Sequence, residues 1–258
     1  MKIAAWNLNN RVGRVPFRAD AVDAAIALDA DVYVFNEYYP QSNEIAFRRT
    51  LAEAGWQHQE LSPDTGEKAN RVLIVSRTQL APLPLKLPDF DRQFPANLLG
   101  VYIPDFGVSV LGLRLPWYES TSLVTRAWNW VEEAAAGLIS EPSIIVGDLN
   151  AGLNSKASRG GDHLRRIIES GWQRAVPQTG SSYFGSGGKR SEIDHLLSTS
   201  HCHISNPHYV TQQGQHFFAG TAGSISDHAA LVANVMVIQG QGQNLSNLSL
   251  CSSSNHLT

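Results

Sequence analysis

Polar side chains follow five apolar, strand-like segments of the chain at the point where each segment ends. The five endings are Asn7-Leu8-Asn9, Asn36-Glu37, Gly147-Asp148-Leu149-Asn150, Asp194-His195 and Ser226-Asp227-His228. A single ending of this kind is most often a turn or a helix cap. Because ligand sites of α/β sheets gather where the strands end, five such endings in one chain indicate one shared site.

The residue types of these endings suit the hydrolysis of a phosphate ester. Carboxylates and amides without a Cys/His ligand set favour Mg²⁺, Mn²⁺ or Ca²⁺ over zinc. Such an ion neutralises charge on phosphoryl oxygens, a carboxylate orients or deprotonates water, and an imidazole stabilises charge or handles a proton. Carboxylate, amide and imidazole groups around one of these ions can therefore hydrolyse a phosphate ester.

The composition is that of an ordinary globular protein. Apolar residues make up 43% and charged residues 17% of the 258 residues, which excludes a wholly disordered chain. The formal net charge of -3 argues against a generally basic nucleic-acid-binding protein but leaves a local basic patch open. With only two cysteines, a disulfide framework is excluded. No apolar run has membrane-spanning length and no signal peptide is visible, so we expect a cytoplasmic protein. We also expect it to act as a monomer.

Strand-like and helix-like segments alternate along the chain. Apolar runs rich in β-branched and aromatic residues predict strands at residues 2–6, 31–35, 71–76, 98–103, 108–115, 143–146, 193–197 and 229–237. Apolar residues at helical spacing predict helices near 17–28, 45–54, 124–138 and 162–169, the third of which Ser120 or Thr121 can cap. We interpret the Gly- and Ser-rich segment 180–190 as a flexible loop. The expectation is one mixed-sheet α/β domain at residues 1–238, followed by a polar, disordered tail at 239–258.

The strand-end motifs together resemble those of a known superfamily. In their order and intervals, WNLN, NE, GDLN, IDH and SDH are similar to the endonuclease/exonuclease/phosphatase superfamily. Its members include deoxyribonuclease I, exonuclease III-type abasic-site endonucleases, inositol-polyphosphate 5-phosphatases and neutral sphingomyelinases. The resemblance covers about residues 1–238, and GDLN followed by a late SDH is its most specific part. It implies a four-layer α/β sandwich of two mixed β-sheets flanked by helices.

The resemblance implies a metal site of three residues, for which we expect Mg²⁺ or Mn²⁺ as the cofactor. Glu37 would ligate the ion directly, and Asn7 would ligate it or hold a metal-bound water. Asp227 is a candidate second ligand. The simpler alternatives are a turn for Asn7 and a surface carboxylate for Glu37.

The resemblance also implies the catalytic groups. Asp148 matches the carboxylate that aligns and activates the attacking water, and Asn150 matches the amide that fixes the phosphate. His228 matches the imidazole that contacts the scissile phosphate, with Asp194 as the carboxylate that sets its tautomer. Because side chains alternate across a strand, His195 should point away from the site if Asp194 faces it, and we expect a structural role for His195.

One position departs from the family pattern. The strand before the central helix usually ends in His or Tyr, whereas the closest match here is Arg114. Arg cannot donate a proton near neutral pH, but it can hold a phosphate bidentately. The alternative is that Arg114 pairs with a surface acid. Asn70, before the strand at 71–76, is a second candidate substrate contact.

The leading functional prediction is a divalent-metal-dependent phosphodiesterase of nuclease type, acting on a phosphate-ester substrate that includes nucleic acid. Four basic residues, Arg11, Arg14, Lys189 and Arg190, would lie near one rim and attract an anionic substrate. Two alternatives remain open. One is a phosphatase or phospholipase-type member that acts on a small or lipid-head-group phosphate, and the other is a catalytically silent scaffold that binds phosphate.

Overall fold

The computed structural model describes residues 1–12, 18–40, 44–66, 69–117, 120–178 and 180–238. The strands are β1 (Lys2–Asn7), β2 (Val32–Tyr38), β3 (His58–Leu61), β4 (Arg71–Ser76), β5 (Ala81–Pro82), β6 (Leu98–Ile103), β7 (Val108–Arg114), β8 (Ser143–Asp148), β9 (Gln173–Arg174), β10 (Tyr183–Phe184), β11 (Arg190–Ser191), β12 (Asp194–Ser198), β13 (Cys202–Val210), β14 (Gln212–Gln213), β15 (His216–Phe217) and β16 (Ala230–Val237). The helices are α1 (Asp20–Leu28), α2 (Glu44–Glu53), α3 (Thr121–Leu138) and α4 (Gly161–Glu169). Arg14 and the predicted tail at 239–258 lie outside the described residues.

Two six-stranded sheets form the centre of the molecule. The first has the strand order β13-β16-β1-β2-β4-β3, and the second has the order β5-β6-β7-β8-β12-β9. Both sheets are mixed, because β1 runs parallel to β2 and β7 runs parallel to β8, whereas their other pairs are antiparallel. In each sheet the parallel pair is central, so it is buried on both faces, as parallel strands require.

Alternation of side chains along the strands produces the layers. On β1, Ile3 and Ala5 belong to the apolar core between the two sheets, whereas Ala4 and Trp6 face the opposite way. That opposite face packs against α1 and α2, and the outer face of the second sheet packs against α3 and α4. The order is therefore helix, sheet, sheet, helix. The predicted four-layer α/β sandwich of two mixed sheets flanked by helices is confirmed.

Helix α3 is the longest helix among the described residues. Ser120 caps its start by accepting a hydrogen bond from the backbone N–H of Leu123 at 3.2 Å. Its apolar stripe, which includes Val124, Trp128 and Val131, is buried against the second sheet. None of the helices in the described part of the chain is long and apolar enough to cross a membrane.

The sequence did not predict the long strand β13, and it assigned a loop where β10 and β11 pair. β13 lies at the edge of its sheet, contains Pro207 and has a register shift between Ser205 and His208. Edge strands tolerate proline and polar side chains, so their apolar pattern is weak. In the Gly-rich segment, Phe184 pairs with Arg190 to form a two-stranded ribbon.

Candidate active site

The strand-end residues meet at one end of the sandwich. Across the parallel pairs, Asn7 lies beside Asn36 and Arg114 lies beside Asp148. Across the antiparallel pair of β8 and β12, Asp194 lies beside Asp148. The two sheets therefore bring their polar ends into a single cleft of about 640 Å³.

Asn36 joins the two sheets directly behind the cleft. Its Nδ2 donates to the carbonyl of Leu113 at 3.1 Å, and its Oδ1 accepts from the backbone N–H of Asp148 at 3.2 Å. Gly147 allows this approach, because a Cβ at that position would lie 2.9 Å from Asn36 Oδ1 and would also meet the carbonyl of Leu113. In the sequence, Asn36 stands out only as the neighbour of Glu37, and no local pattern signals this positioning role.

Asp148 is the buried centre of the amide contacts. Asn7 Nδ2 donates to its Oδ2 at 2.9 Å, and Asn150 Nδ2 donates to the same oxygen at 3.1 Å. The backbone N–H of Asn150 donates to Oδ1 at 3.0 Å. Burial raises the pKa of Asp148 to about 7, and the nearby charge of Asp194 contributes in the same direction. The carboxyl can therefore exchange a proton near neutral pH.

His228 and Asp194 form a buried acid–imidazole pair. Nδ1 of His228 lies 2.8 Å from Asp194 Oδ2, which leaves Nε2 for the cleft that His228 lines. Two serines fix the backbone of this pair. Ser226 Oγ accepts from the backbone N–H of His228 at 3.0 Å, and Ser182 Oγ accepts from the backbone N–H of Asp194 at 3.0 Å. Burial lowers the pKa of His228, but the charge and hydrogen bond of Asp194 outweigh it and raise that pKa to about 10.

Glu37 also lines the cleft and is held by two donors. Its Oε1 accepts from Arg114 Nε at 2.9 Å, and its Oε2 accepts from Asn10 Nδ2 at 2.8 Å. The backbone of Glu37 has a φ of 50°, at a register shift between β2 and β4. Such a conformation is uncommon outside glycine and asparagine and is found where surrounding structure enforces it, often in functional sites.

Two groups of side chains could hold a cation. Ligand atoms of Asp148, Asp194 and His228 all lie within 4.8 Å of one another. In the second group, Glu37 adjoins Asn10, whose buried Oδ1 has no hydrogen-bond partner among the described residues. Carboxylate and amide oxygens suit Mg²⁺ or Mn²⁺, and an unpaired buried oxygen beside a carboxylate fits a cation.

Of the predicted metal residues, Asn7 donates to Asp148, whereas Glu37 accepts from Arg114 and Asn10. The Asn7 amide is engaged on both atoms, because its Oδ1 also accepts from the backbone N–H of Asn9 at 2.9 Å. Asp227 lines the cleft, and burial raises the pKa of its carboxyl. The Asp148–Asp194–His228 cluster thus combines predicted catalytic residues, whereas the predicted ligands Glu37 and Asp227 are not part of it and line the cleft.

Basic and aromatic side chains surround the cleft. Trp117, Lys156, Arg159 and Lys189 line it together with Tyr183, whose ring centroid lies 5.1 Å from that of His228. Trp117 is 42% exposed and has the Arg159 guanidinium 5.4 Å from its ring centroid. Of these residues, the sequence did not single out Trp117, Lys156 or Arg159 as parts of the site. Neither the Pro116-Trp117 step nor the segment from Lys156 to Arg159 carries a motif that could have found them.

A second pocket of about 380 Å³ adjoins the cleft and shares Asn9, Lys189 and Asp227 with it. Arg11 and Arg190 also line this pocket. Three of the four predicted rim residues therefore lie together, next to the candidate catalytic groups. Their positive charge favours an anionic ligand on this side of the site.

Two further predicted residues lie away from the catalytic cluster. His195 is buried and its Nε2 lies 2.8 Å from the carbonyl of Ala151, so the ring points away from Asp148 as strand alternation predicts. Asn70 is half-buried, immediately before β4, and is not among the residues that line the cleft. Its contact with substrate stays a prediction.

A protein-family model described as the Endonuclease/Exonuclease/phosphatase family matches residues 4–228. No curated protein sequence matches this chain significantly.

Solved structures with similar folds cover almost all of the chain. An endonuclease/exonuclease/phosphatase from Beutenbergia cavernae aligns with a TM-score of 0.70 and 18% identity, over 92% of this chain and 71% of its own. A 3′ phosphatase from Neisseria, bound to a product DNA hairpin, aligns with a TM-score of 0.69 and 18% identity, over 91% and 98%. An AP endonuclease from Archaeoglobus fulgidus aligns with a TM-score of 0.66 and 16% identity, over 91% and 98%. At these identities, the likeness establishes the fold.

Proposed function

The chain belongs to the endonuclease/exonuclease/phosphatase family, and we propose that it is a divalent-metal-dependent phosphoesterase that hydrolyses phosphodiester bonds by in-line attack of water. The observation that carries this proposal is the buried His228–Asp194 pair beside the buried Asp148 carboxylate, with ligand atoms within 4.8 Å of one another. Buried acids and imidazoles whose pKa values are strongly shifted, as those of Asp148 and His228 are, are typical of acid–base sites. The side-chain amides of Asn7 and Asn150 both donate to Asp148 and keep its carboxylate in place.

Each group has a distinct role in the proposed reaction. Asp148 orients the attacking water and takes one of its protons, while the bond from phosphorus to the leaving oxygen breaks. The leaving oxygen takes its proton from solvent. His228, kept protonated by Asp194, donates a charge-assisted hydrogen bond from Nε2 to a phosphoryl oxygen. A bound Mg²⁺ or Mn²⁺, held by Glu37 with Asn7 or Asp227, would neutralise charge on the phosphate.

The nuclease type is favoured by the basic surroundings of the site. Lys156, Arg159 and Lys189 line the cleft, and Arg11 and Arg190 line the adjoining pocket. A nucleic acid strand carries further phosphates beside the scissile one, which such a charged rim would contact. A small phosphomonoester has no such neighbours. The DNA-bound Neisseria phosphatase is a structural neighbour and is consistent with this substrate class.

The first experiment measures turnover of bis-p-nitrophenyl phosphate with and without metal. Activity should require Mg²⁺ or Mn²⁺ and vanish in EDTA, because the site needs the ion to neutralise phosphate charge. Glu37→Gln should raise the metal concentration needed. Full activity in EDTA would contradict the proposal, and no turnover of any phosphate ester with either metal would favour a binding scaffold.

The second experiment separates nucleic acid from small substrates by salt dependence. For duplex DNA, the logarithm of the observed binding constant should fall against log[salt] with a slope of about -0.9 per contacted phosphate. Arg11→Ala and Arg190→Ala should each flatten the slope by about one unit and weaken all sequences alike. Arg49→Ala is the matched control, because Arg49 lies exposed on α2 and pairs with Glu53. Brisk release of phosphate from a sugar or inositol phosphate without DNA cleavage would favour the phosphatase.

A further inference from the structure

Arg114 occupies the position where the family resemblance leads one to expect His or Tyr, and its guanidinium is committed to Glu37. The Nε–Oε1 distance is 2.9 Å, and the two side chains are only 19% and 13% exposed. An ion pair that is this well shielded is stronger than a surface pair, because less solvent screens it. The same carboxylate is the one to which the proposed function assigns the metal.

The second oxygen of Glu37 is engaged as well. Asn10 Nδ2 donates to Oε2 at 2.8 Å, so both carboxylate oxygens accept hydrogen bonds from protein groups. The other amide atom of Asn10, Oδ1, is buried without a hydrogen-bond partner among the described residues. An oxygen left unpaired in this way costs free energy unless a cation or donor satisfies it.

These contacts describe a carboxylate that is already neutralised. A cation that approaches Glu37 must either displace the guanidinium or bind with a unit positive charge nearby. Arg114 also lies beside Asp148 across the parallel strands β7 and β8, so its charge acts on both carboxylates of the site. A neutral His or Tyr at the same position would impose no such repulsion on the ion.

We propose that Arg114 competes with the divalent cation for Glu37 and thereby sets the metal affinity of the site. The location of the ion rests on the proposed function, and Arg114 would in addition regulate how tightly the ion binds there. In the metal-free protein, Arg114 holds Glu37 and balances its charge. When a cation binds, Asn10 Oδ1 gains the positive partner that it lacks, and Arg114 loses its hold on Oε1.

The consequence is a metal affinity that rises when the guanidinium is removed. Two unit charges several ångströms apart in a partly buried site repel by more than the free energy of a tenfold change in affinity. Replacing Arg114 by neutral glutamine should therefore tighten Mn²⁺ binding by about tenfold or more. Glu37→Gln should weaken binding in both the wild-type and the Arg114→Gln background, because it removes the contested carboxylate.

The experiment is calorimetric titration of Mn²⁺ into EDTA-stripped, dialysed protein, with the metal-induced rise in melting temperature as a second measurement. The variants are Arg114→Gln, Glu37→Gln and the double variant. Arg159→Gln is the matched control, because Arg159 lines the same cleft but donates to the carbonyl of Trp117 instead of Glu37. It removes one positive charge from the cleft and leaves the ion pair intact.

Tighter binding in Arg114→Gln, with a smaller change in Arg159→Gln, is the expected result. Equal tightening in both variants would mean that the general charge of the cleft acts, and it would overturn the competition. Weaker binding in Arg114→Gln would mean that Arg114 orients Glu37 for the ion, which also overturns it. If neither the wild-type protein nor Arg114→Gln binds Mn²⁺, the competition is overturned as well. Binding that shifts as expected in a protein without phosphoesterase activity would uphold this inference while the proposed function fails.

Discussion

The chain contains two Asp-His dipeptides at strand ends, and the structure uses them in opposite ways. Asp194-His195 begins β12, where the Asp faces Asp148 and the His points to the carbonyl of Ala151. Asp227-His228 precedes β16, and there the His pairs with Asp194 while the Asp lines the cleft. One dipeptide supplies the carboxylate and the other supplies the imidazole of a single pair. Identical local sequence therefore does not fix a role, because the strand face decides it.

The two imidazoles also differ in charge. Both are buried, and burial lowers the pKa of each. For His195 this effect dominates, so its pKa stays below the ordinary value and the ring is neutral. For His228 the adjacent Asp194 carboxylate outweighs burial and raises the pKa to about 10. The comparison predicts one structural, neutral histidine and one functional, charged histidine.

The largest expected effect separates the two histidines by activity. His228→Ala should lower kcat by roughly 10²–10⁴-fold, the range for removing an acid–base group, with a smaller effect on substrate binding. Asp148→Asn should cause a loss of similar size, because Asp148 orients and deprotonates the attacking water. Steady-state kinetics on a generic phosphodiester would check both. A wild-type kcat in His228→Ala would show that His228 has no role in the reaction.

A related loss should follow in Asp194→Asn, because Asp194 acts through His228. The asparagine can still accept a hydrogen bond, but it no longer holds the imidazole in its charged form. Asp194→Asn combined with His228→Ala should therefore cost about as much as His228→Ala alone. If the double variant shows the product of the two single losses, the residues do not act as a unit.

The strand-end residues could be predicted because their signal is local. Apolar runs that stop at polar residues mark Asn7, Glu37 and Asp148 without any knowledge of the fold, and the family resemblance assigns their roles. The four helices and most of the central strands follow from periodicity in the same way, whereas their arrangement in two sheets was implied by the family resemblance. The predictions fail where the signal is weak, as in the polar edge strand β13.

The parts that were missed depend on contacts between distant segments. Asn36 connects β2 to β7 and β8, and its partners are more than seventy residues away in the sequence. Arg159 donates to the carbonyl of Trp117, and the neighbouring Gly160, at a φ of 89°, lets the chain pass close against the Trp128 indole. For Arg114 the sequence suggests a surface acid as the alternative partner, and it does not indicate that the acid is the well-shielded Glu37. No single window of the sequence contains these pairs.

A third prediction tests the charge of His228 through stability. Its folded-state pKa of about 10 lies above the ordinary value of about 6.5, so protonation favours the folded state. That contribution is complete below about pH 6.5 and is lost as the pH rises through about 10. Asp194→Asn should flatten the decline in the free energy of unfolding between about pH 7 and 10, because the folded-state pKa falls back.

Urea unfolding at several pH values measures the slope of the free energy of unfolding against pH, and Asp20→Asn provides the control. Like Asp194, Asp20 has a basic partner, but this partner is Arg18 and the pair lies on the surface. The pairing lowers the pKa of the Asp20 carboxyl. Its contribution is therefore present above its unfolded-state pKa and is lost only in acid. A slope in Asp194→Asn that matches that of the wild type above pH 7 would show that Asp194 does not hold the charge of His228.

The smallest expected effect concerns His195. Since a carbonyl oxygen can only accept, the contact with Ala151 requires the proton of His195 on Nε2. His195→Leu leaves that buried carbonyl without a donor and should lower the free energy of unfolding by about 1–3 kcal/mol. The kcat should change by less than about threefold, because Asn150 is held separately through Leu115 and Asp148. His195→Gln, which keeps an amide donor, should recover part of the stability. A large loss of kcat in His195→Leu that His195→Gln restores would mean that His195 positions the segment around Asn150. Both histidines would then contribute to activity, and they would differ only in their distance from the phosphate.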